Sequence, residues 1–338
     1  MSNKSIDLSK EKIRYLAIGD SISEGFNSRY GVGFPGEIKI NDADNTKTIS
    51  GMSFPAILSK MINDIIPGSI ESFDNFALTG TRVVDWLYFL GIEPKKYNYK
   101  NSKKQISEDQ EYDEKENNPQ INRAYKQFGM FGRSDIRDFE KLKSKIKNAN
   151  FITVTIGGND WLANFPIFEI SSLQQNVLSK SEFDKIITKK NDELLINMNK
   201  LFGEIRILNP TANIVAVNYA TTLSLLLNFN KEWLGKNNKI VISEYIGLLN
   251  EVVIKAAKQN NINFVNFENK KFWEEHRESL SKIFFDIHPT YYGYKKIAHE
   301  IFAKIALSND FYNQPLEEIQ KLLPNVEDRK STRLNSSH

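Results

Sequence analysis

A short run near the amino terminus places a serine hydroxyl where it could act as a nucleophile. Ser21 lies between Gly19 and Gly25, directly after the apolar run 13–18, whose length is typical of a strand. The two glycines are typical of a turn, in which side chains face solvent rather than the core. In open α/β sheets, ligands bind outside the carboxyl ends of the strands. The pattern favours a nucleophilic serine at a strand end over a turn serine that only bonds its own backbone.

Three later segments each supply a further part that acyl transfer needs. A second apolar run ends at Gly80, a third is followed by Gly157 and Asn159, and an imidazole occurs at His288. Glycine allows a substrate to approach the backbone closely, and an amide donates hydrogen bonds without carrying charge. Histidine can exchange a proton near neutral pH. Gly80 has a structural alternative as a turn glycine and Asn159 as a loop residue that caps the following segment, but the ordered set indicates a serine hydrolase.

These residues fall into four blocks, in which the sequence resembles the SGNH hydrolases, also called the GDSL esterase/lipase family. The blocks read Gly19-Asp20-Ser21-Ile22-Ser23-x-Gly25, Asn75-x-Ala77-x-x-Gly80, Gly157-x-Asn159-Asp160 and His288-Pro289. The resemblance extends over residues 13 to about 303. It implies an α/β protein with a three-layer α/β/α sandwich of flavodoxin-like architecture, the SGNH-hydrolase fold. It also implies a serine carboxylester hydrolase that works through an acyl-enzyme without a cofactor.

The same resemblance assigns a role to each of the four residues. Ser21 is the expected nucleophile, and His288 is the expected general base and acid. The backbone N–H groups of Ser21 and Gly80 and the side-chain amide of Asn159 are the expected oxyanion hole. Three rigid donors of this kind stabilise the negative charge that develops on the former carbonyl oxygen.

The sequence departs from the family pattern at the triad aspartate. The family places this residue three positions before the histidine, where the chain has Phe285, whereas Asp286 lies two positions before it. In an extended segment, residues two apart point to the same side, so Asp286 could still approach the His288 ring. Two alternatives are open: a backbone carbonyl that orients the ring in a Ser-His dyad, or another acid such as Glu275.

Alternating strand and helix patterns predict βαβ units around a five-stranded parallel sheet. The predicted strands are 14–18, 72–77, 151–156, 213–218 and 263–267. The predicted helices are 53–66, 81–90, 134–147, 192–208, 240–259 and 290–307, with Ser53 as a helix cap. The four blocks then lie at one edge of the sheet, after the first three strands and beyond the fifth.

Length and composition favour one domain over residues 13–307, with polar tails at 1–12 and 308–338. Two insertions are predicted. The first, 93–132, has little apolar periodicity and is interpreted either as a lid over the site or as a solvated loop. The second, 161–184, contains Trp161, Phe165 and Phe168, which could line a pocket or belong to the core. The last residues of the chain are interpreted as disordered or non-native.

Charge and residue usage exclude several classes of function. A net charge of +3 does not favour nucleic acid as a partner. The chain lacks cysteine and has no histidine pair at ligand spacing, so no metal or other cofactor is predicted. His276 and His299 are interpreted as structural or solvated.

The expected partner is a small-molecule or lipid ester, and no feature of the sequence indicates an oligomeric state. No apolar run is long enough to span a bilayer, and the polar start of the chain favours a cytoplasmic protein. A secreted or surface-anchored protein is the alternative if a leader precedes this sequence. The alternative function is a noncatalytic carbohydrate- or lipid-binding protein on the same fold, which the displaced Asp286 would suit.

Overall fold

A computed structural model describes residues 12–27, 29–40, 47–92, 140–163, 179–219, 238–265 and 288–306. Nine strands lie within these ranges: β1 (Ile13–Gly19), β2 (Phe26–Asn27), β3 (Val32–Gly33), β4 (Ile38–Ile40), β5 (Lys47–Ile49), β6 (Ile70–Asn75), β7 (Phe151–Thr155), β8 (Asn213–Val217) and β9 (Asn263–Val265). Five of them form a parallel sheet in the order β6-β1-β7-β8-β9. This sheet confirms the predicted α/β fold with five parallel strands.

The strand order reverses at β1, which lies between β6 and β7. The register pairs Ala17 with Asn75 on one side and with Thr153 on the other. The chain runs from β1 to β6 in one direction and then crosses back to β7 and onward to β9. The carboxyl end of β1 is therefore the topological switch point at which open α/β sheets bind ligands.

Helices cover both faces of the sheet. Eight lie in the part of the chain that the structure describes: α1 (Ser21–Glu24), α2 (Phe54–Ile65), α3 (Val83–Phe89), α4 (Glu140–Asn148), α5 (Gly158–Ala163), α6 (Lys180–Leu208), α7 (Asn238–Gln259) and α8 (Tyr291–Ala306). α2 packs against α8, whereas α6 packs against α7, α3 and α4. The two groups of helices and the sheet between them are the three layers of the predicted sandwich.

The central strands are apolar because both of their faces are covered. Every residue of β7 and of β8 is buried, as is typical of parallel strands between two helical layers. The Tyr15 ring of β1 packs between Phe73 and Phe151 of the neighbouring strands, with ring centroids 5.3 and 4.6 Å apart. This aromatic cluster joins three strands in the middle of the core.

The five predicted strands all exist, with ends shifted by one or two residues. Ser53 is the helix cap that was predicted, since its hydroxyl accepts a hydrogen bond from the Ala56 N–H at 3.2 Å. Two antiparallel pairs, β2 with β3 and β4 with β5, were not predicted. Their strands are only two or three residues long and partly exposed, which is too short for apolar alternation to give a signal in the sequence.

The predicted insertion 93–132 lies outside the described residues. The second, 161–184, is helical at both described ends, within α5 and at the start of α6, and Trp161 is buried in the core. Phe165 and Phe168 lie outside the described ranges. Among the described helices, none is both long and apolar enough to cross a membrane.

Candidate active site

Ser21 is the first residue of α1, a single helical turn that follows β1 directly. Asp20 caps this turn, because its side chain accepts a hydrogen bond from the Ile22 N–H at 3.0 Å. Gly25 ends it in the left-handed conformation, with φ of 74°. The backbone N–H of the first helical residue has no acceptor within the helix, so the Ser21 N–H points out of the turn.

Gly19 allows β1 to run directly into this turn. It has a φ of 136°, and an added Cβ would lie 2.1 Å from the carbonyl oxygen of Thr155. The close contact brings the end of β1 against the end of β7. A side chain at this position would displace the segment that carries Ser21.

His288 reaches Ser21 from the start of α8, 267 residues later in the chain. Its Nε2 lies 2.9 Å from the Ser21 Oγ, which is a hydrogen-bond distance. The imidazole packs against the Phe26 ring, with centroids 4.6 Å apart. Tyr294 of α8 donates a hydrogen bond to the Phe26 carbonyl at 2.9 Å, so the same helix that follows His288 also holds the ring it packs against.

Gly80 lies in a turn after β6, with φ of 83°. The buried Glu24 carboxylate of α1 accepts hydrogen bonds from both the backbone N–H and the hydroxyl of the preceding Thr79. The following Thr81 is fully buried, and its hydroxyl contacts the carbonyl oxygens of Leu78 and Gly19 at 2.8 and 3.1 Å. The residues on both sides of Gly80 are therefore hydrogen-bonded to the segment that carries Ser21.

Asn159 is the second residue of α5, which follows β7 after a glycine turn. Its side-chain amide donates to the Thr81 carbonyl at 2.9 Å and so lies against the Gly80 turn. The next residue, Asp160, accepts a hydrogen bond from the Val83 N–H at the start of α3, at 3.0 Å. These contacts place the third sequence block, which contains Asn159, beside the second block, which contains Gly80.

Asn75, at the end of β6, holds the turn that carries Ser21 against the same edge of the sheet. Its amide donates to the Ser23 carbonyl at 2.8 Å, and its oxygen accepts from the Ala77 N–H at 3.1 Å. The structure thus brings together Ser21, Gly80, Asn159 and His288 at the carboxyl edge of the sheet. Asp286, Glu275 and His276 lie outside the described residues, and His299 is exposed on α8.

Two of the buried carboxyl groups at this edge, those of Asp20 and Asp160, have a raised pKa. Burial raises the pKa of Asp20 to about 6, although hydrogen bonds from Tyr219 and the Ile22 N–H oppose the rise. The pKa of Asp160 is raised to about 7, chiefly by burial and also by the charge of the nearby Asp85. The Tyr219 phenol has its pKa well above the usual value, because it is buried and faces Asp20. A buried phenol with this pKa stays protonated and can donate to Asp20 throughout the neutral range.

We expect the raised pKa of Asp160 to make the protein more stable in mild acid. The folded state holds this proton up to about pH 7, whereas an unfolded aspartate releases it near pH 4. The contribution is fully present below pH 4 and is lost as pH rises through 7. Across that range Asp160 should lower the free energy of unfolding by about 2 to 4 kcal/mol. Urea unfolding at several pH values between 4.5 and 7.5 measures it.

Asp160→Asn keeps an oxygen that accepts the Val83 N–H but has no proton to lose. This variant should show a flatter pH dependence than the wild type and a gain in stability at pH 7.5. The matched control is Asp184→Asn, which removes an exposed carboxylate on α6. Parallel curves for Asp160→Asn and the wild type would contradict the assignment.

Two residues of this edge were missed by the sequence reasoning: Tyr219 and Glu24. Tyr219 follows β8 by two residues, so the rule that strand ends carry sites could have found it. Glu24 carried no such signal, because an acid in a surface turn is usually solvated. In the described ranges no group of three or more histidine, aspartate or glutamate side chains could hold a metal ion.

Comparison with known proteins gives one family match and several structural likenesses. The family model described as GDSL-like Lipase/Acylhydrolase matches residues 15–301. No curated protein sequence matches the chain.

Three of the solved structures to which the chain is similar are the following. A phospholipase A1 from Streptomyces albidoflavus NA297 is 16% identical, with a TM-score of 0.46 over 86% of this chain and 97% of that one. An extracellular lipase from Streptomyces rimosus is 17% identical, with a TM-score of 0.46 over 86% and 98%. An acetyl xylan esterase from Geobacillus stearothermophilus is 15% identical, with a TM-score of 0.42 over 90% and 96%.

Proposed function

Because the chain belongs to the GDSL-like Lipase/Acylhydrolase family and is an ester-bond hydrolase of the esterase and lipase type, we propose that Ser21 is its nucleophile and His288 its base. The observation that supports this is the 2.9 Å separation of the Ser21 Oγ and the His288 Nε2 at the switch point of the sheet. A serine hydroxyl is a weak nucleophile unless an adjacent base takes its proton. His288 is the imidazole at hydrogen-bond distance from it.

In the first half of the reaction, the Ser21 Oγ bonds to the carbonyl carbon while its proton passes to the His288 Nε2. The resulting tetrahedral intermediate collapses, the bond to the leaving alcohol breaks, and the imidazolium returns the proton to that alcohol. Water then attacks the acyl carbon while one of its protons passes to the His288 Nε2. The bond from that carbon to the Ser21 Oγ breaks, and the imidazolium returns the proton to Oγ. The products are a carboxylic acid and an alcohol, and no cofactor takes part.

The neutral imidazole needs a polar partner that fixes its tautomer, and the imidazolium that forms during the reaction needs an anion or a polar group to stabilise it. Asp286 remains our proposed orienting acid, two residues before His288 in the sequence. The charge of His288 lowers the pKa of the buried Asp20, so the Asp20 carboxylate also interacts electrostatically with His288. In the proposed mechanism a carboxylate beside the ring stabilises the positive charge that the ring gains when it takes the Ser21 proton.

The oxyanion hole in this proposal consists of the Ser21 N–H, the Gly80 N–H and the Asn159 amide. An amide nitrogen carries two N–H donors, and one of them bonds the Thr81 carbonyl. That bond would hold the other donor in a fixed direction before substrate binds. Rigid donors of this kind lower the barrier because they need not reorganise during the reaction.

A fluorophosphonate probe tests the proposal directly, since it forms a covalent bond only with an activated serine. We expect one phosphonyl group per chain. Tandem mass spectrometry of the tryptic peptide 15–29 should place it on Ser21 rather than on Ser23 or Ser28. A series of p-nitrophenyl esters of increasing acyl length should identify the preferred substrate, whether a small-molecule or a lipid ester. An unlabelled protein that hydrolyses none of these esters would favour the noncatalytic binding protein instead.

A further inference from the structure

One phenol hydroxyl lies between the segments that carry Ser21 and Asn159. The Tyr219 hydroxyl donates a hydrogen bond to the carboxylate of Asp20, which immediately precedes Ser21. The same oxygen accepts a hydrogen bond from the backbone N–H of Gly158, which immediately precedes Asn159, at 2.8 Å. Each of the two partners of this hydroxyl is therefore the direct neighbour in sequence of a candidate site residue, Ser21 or Asn159.

Tyr219 is itself held in place by the helical layer. The Asn250 side chain of α7 accepts from the Tyr219 N–H at 3.3 Å and donates to the Tyr219 carbonyl at 3.2 Å. Both side chains are buried. The main chain of Tyr219 therefore has little freedom to move its ring away from the site.

The ring also packs directly on the glycine that it bonds. A Cβ added to Gly158 would lie 2.8 Å from the Cε1 and Cζ atoms of Tyr219. The Gly158 backbone thus meets both the ring and its hydroxyl. This contact fixes the peptide that leads into Asn159 in position as well as in direction.

We infer that Tyr219 is a positioning residue, whose hydroxyl holds the Asn159 amide at a fixed distance from Ser21. The inference rests on the proposed function of these two residues. Ser21 and Asn159 follow different strands, β1 and β7, and the reacting carbonyl group must meet both at once. Errors of about 1 Å in such an arrangement can reduce turnover by two orders of magnitude.

Tyr219→Phe removes the hydroxyl and keeps the ring against Gly158. We expect kcat to fall by about 10- to 100-fold while KM changes less than about twofold, because the lost alignment matters chiefly in the transition state. The matched control is Tyr15→Phe, which removes another buried phenol hydroxyl from the same fold. Its partner is the Thr153 hydroxyl at 2.8 Å in the middle of the sheet. A kcat reduced equally in both variants would overturn the inference.

A double-mutant cycle separates positioning from general damage. If Tyr219 acts through Asn159, the effect of Tyr219→Phe should shrink to about threefold or less in the Asn159→Ala background. A full effect in that background would contradict the inference, since the amide that Tyr219 positions is then already absent.

The side-chain amide of Asn159 gives a readout that does not depend on activity. Its 15N–1H signals can be identified by their loss in Asn159→Ala. They should shift in Tyr219→Phe and stay in place in Tyr15→Phe. Unchanged signals in Tyr219→Phe would overturn the inference even in an active enzyme. Failure of the proposed function has a different signature, which is an equal ester hydrolysis rate in the wild type and Ser21→Ala.

Discussion

Replacement of Ser21 by alanine is expected to lower kcat for ester hydrolysis by about 10⁴- to 10⁶-fold. The variant loses the atom that forms the acyl-enzyme, and the remaining groups could only assist direct attack by water. The Ser21 side chain is 4% exposed and lies in a capped turn, so the loss of one oxygen should leave the fold intact. Steady-state rates with the best p-nitrophenyl ester measure the effect.

Ser23 provides the matched control for this prediction. It lies two residues later in the same turn, is fully buried, and its hydroxyl has no hydrogen-bond partner among the described residues. Ser23→Ala should therefore keep kcat within about threefold of the wild type and cost little stability. If Ser21→Ala retained more than about 1% of kcat, another residue would have to be the nucleophile.

Replacement of His288 by alanine is the second prediction with a large effect. We expect kcat to fall by about 10⁴-fold or more, because the Ser21 hydroxyl would keep its proton as it attacks. In contrast to Ser21→Ala, this variant still contains the nucleophile. The second-order rate constant for fluorophosphonate labelling should therefore fall steeply but stay above zero, and long incubation should still modify Ser21.

His299→Ala is the control, since it removes an exposed imidazole from α8, the helix that follows His288. It should match the wild type in both turnover and labelling rate. A labelling rate of His288→Ala within about tenfold of the wild type would indicate that a different base activates Ser21. The ring of His288 also packs against Phe26. Circular dichroism of both variants therefore checks that α8 is retained.

The sequence was sufficient to predict the sheet because its strands are buried on both faces. β7 and β8 appear in the sequence as continuous apolar runs, and this signal does not depend on distant residues. α6 was predicted to begin at residue 192 but begins at Lys180. Its first three turns are mostly polar and carry only two buried residues, Phe183 and Ile187, so their apolar pattern is sparse. The capping box of Ser179 and Glu182 was the available signal for the true start.

The candidate site was predictable to the extent that its chemistry depends on residue type. A serine, an amide and a histidine, in that order along the chain, predicted Ser21, Asn159 and His288 as candidate site residues without knowledge of any distance. Tyr219 could not be found in this way, because tyrosines are common in cores and its partner Asp20 is 199 residues away. Residues that hold a site together have ordinary types, and only the folded arrangement distinguishes them.

The contact between His288 and Phe26 has a consequence for the entropy of each turnover. An imidazole on a solvated loop samples several side-chain rotamers, and it would have to give up that freedom every time it met a substrate. Here the Phe26 ring and the Ser21 hydroxyl already restrict it, and Tyr294 fixes the backbone of Phe26. If His288 is the base, as proposed, most of its rotamer entropy is lost once, when the chain folds, and is not lost again in the chemical step.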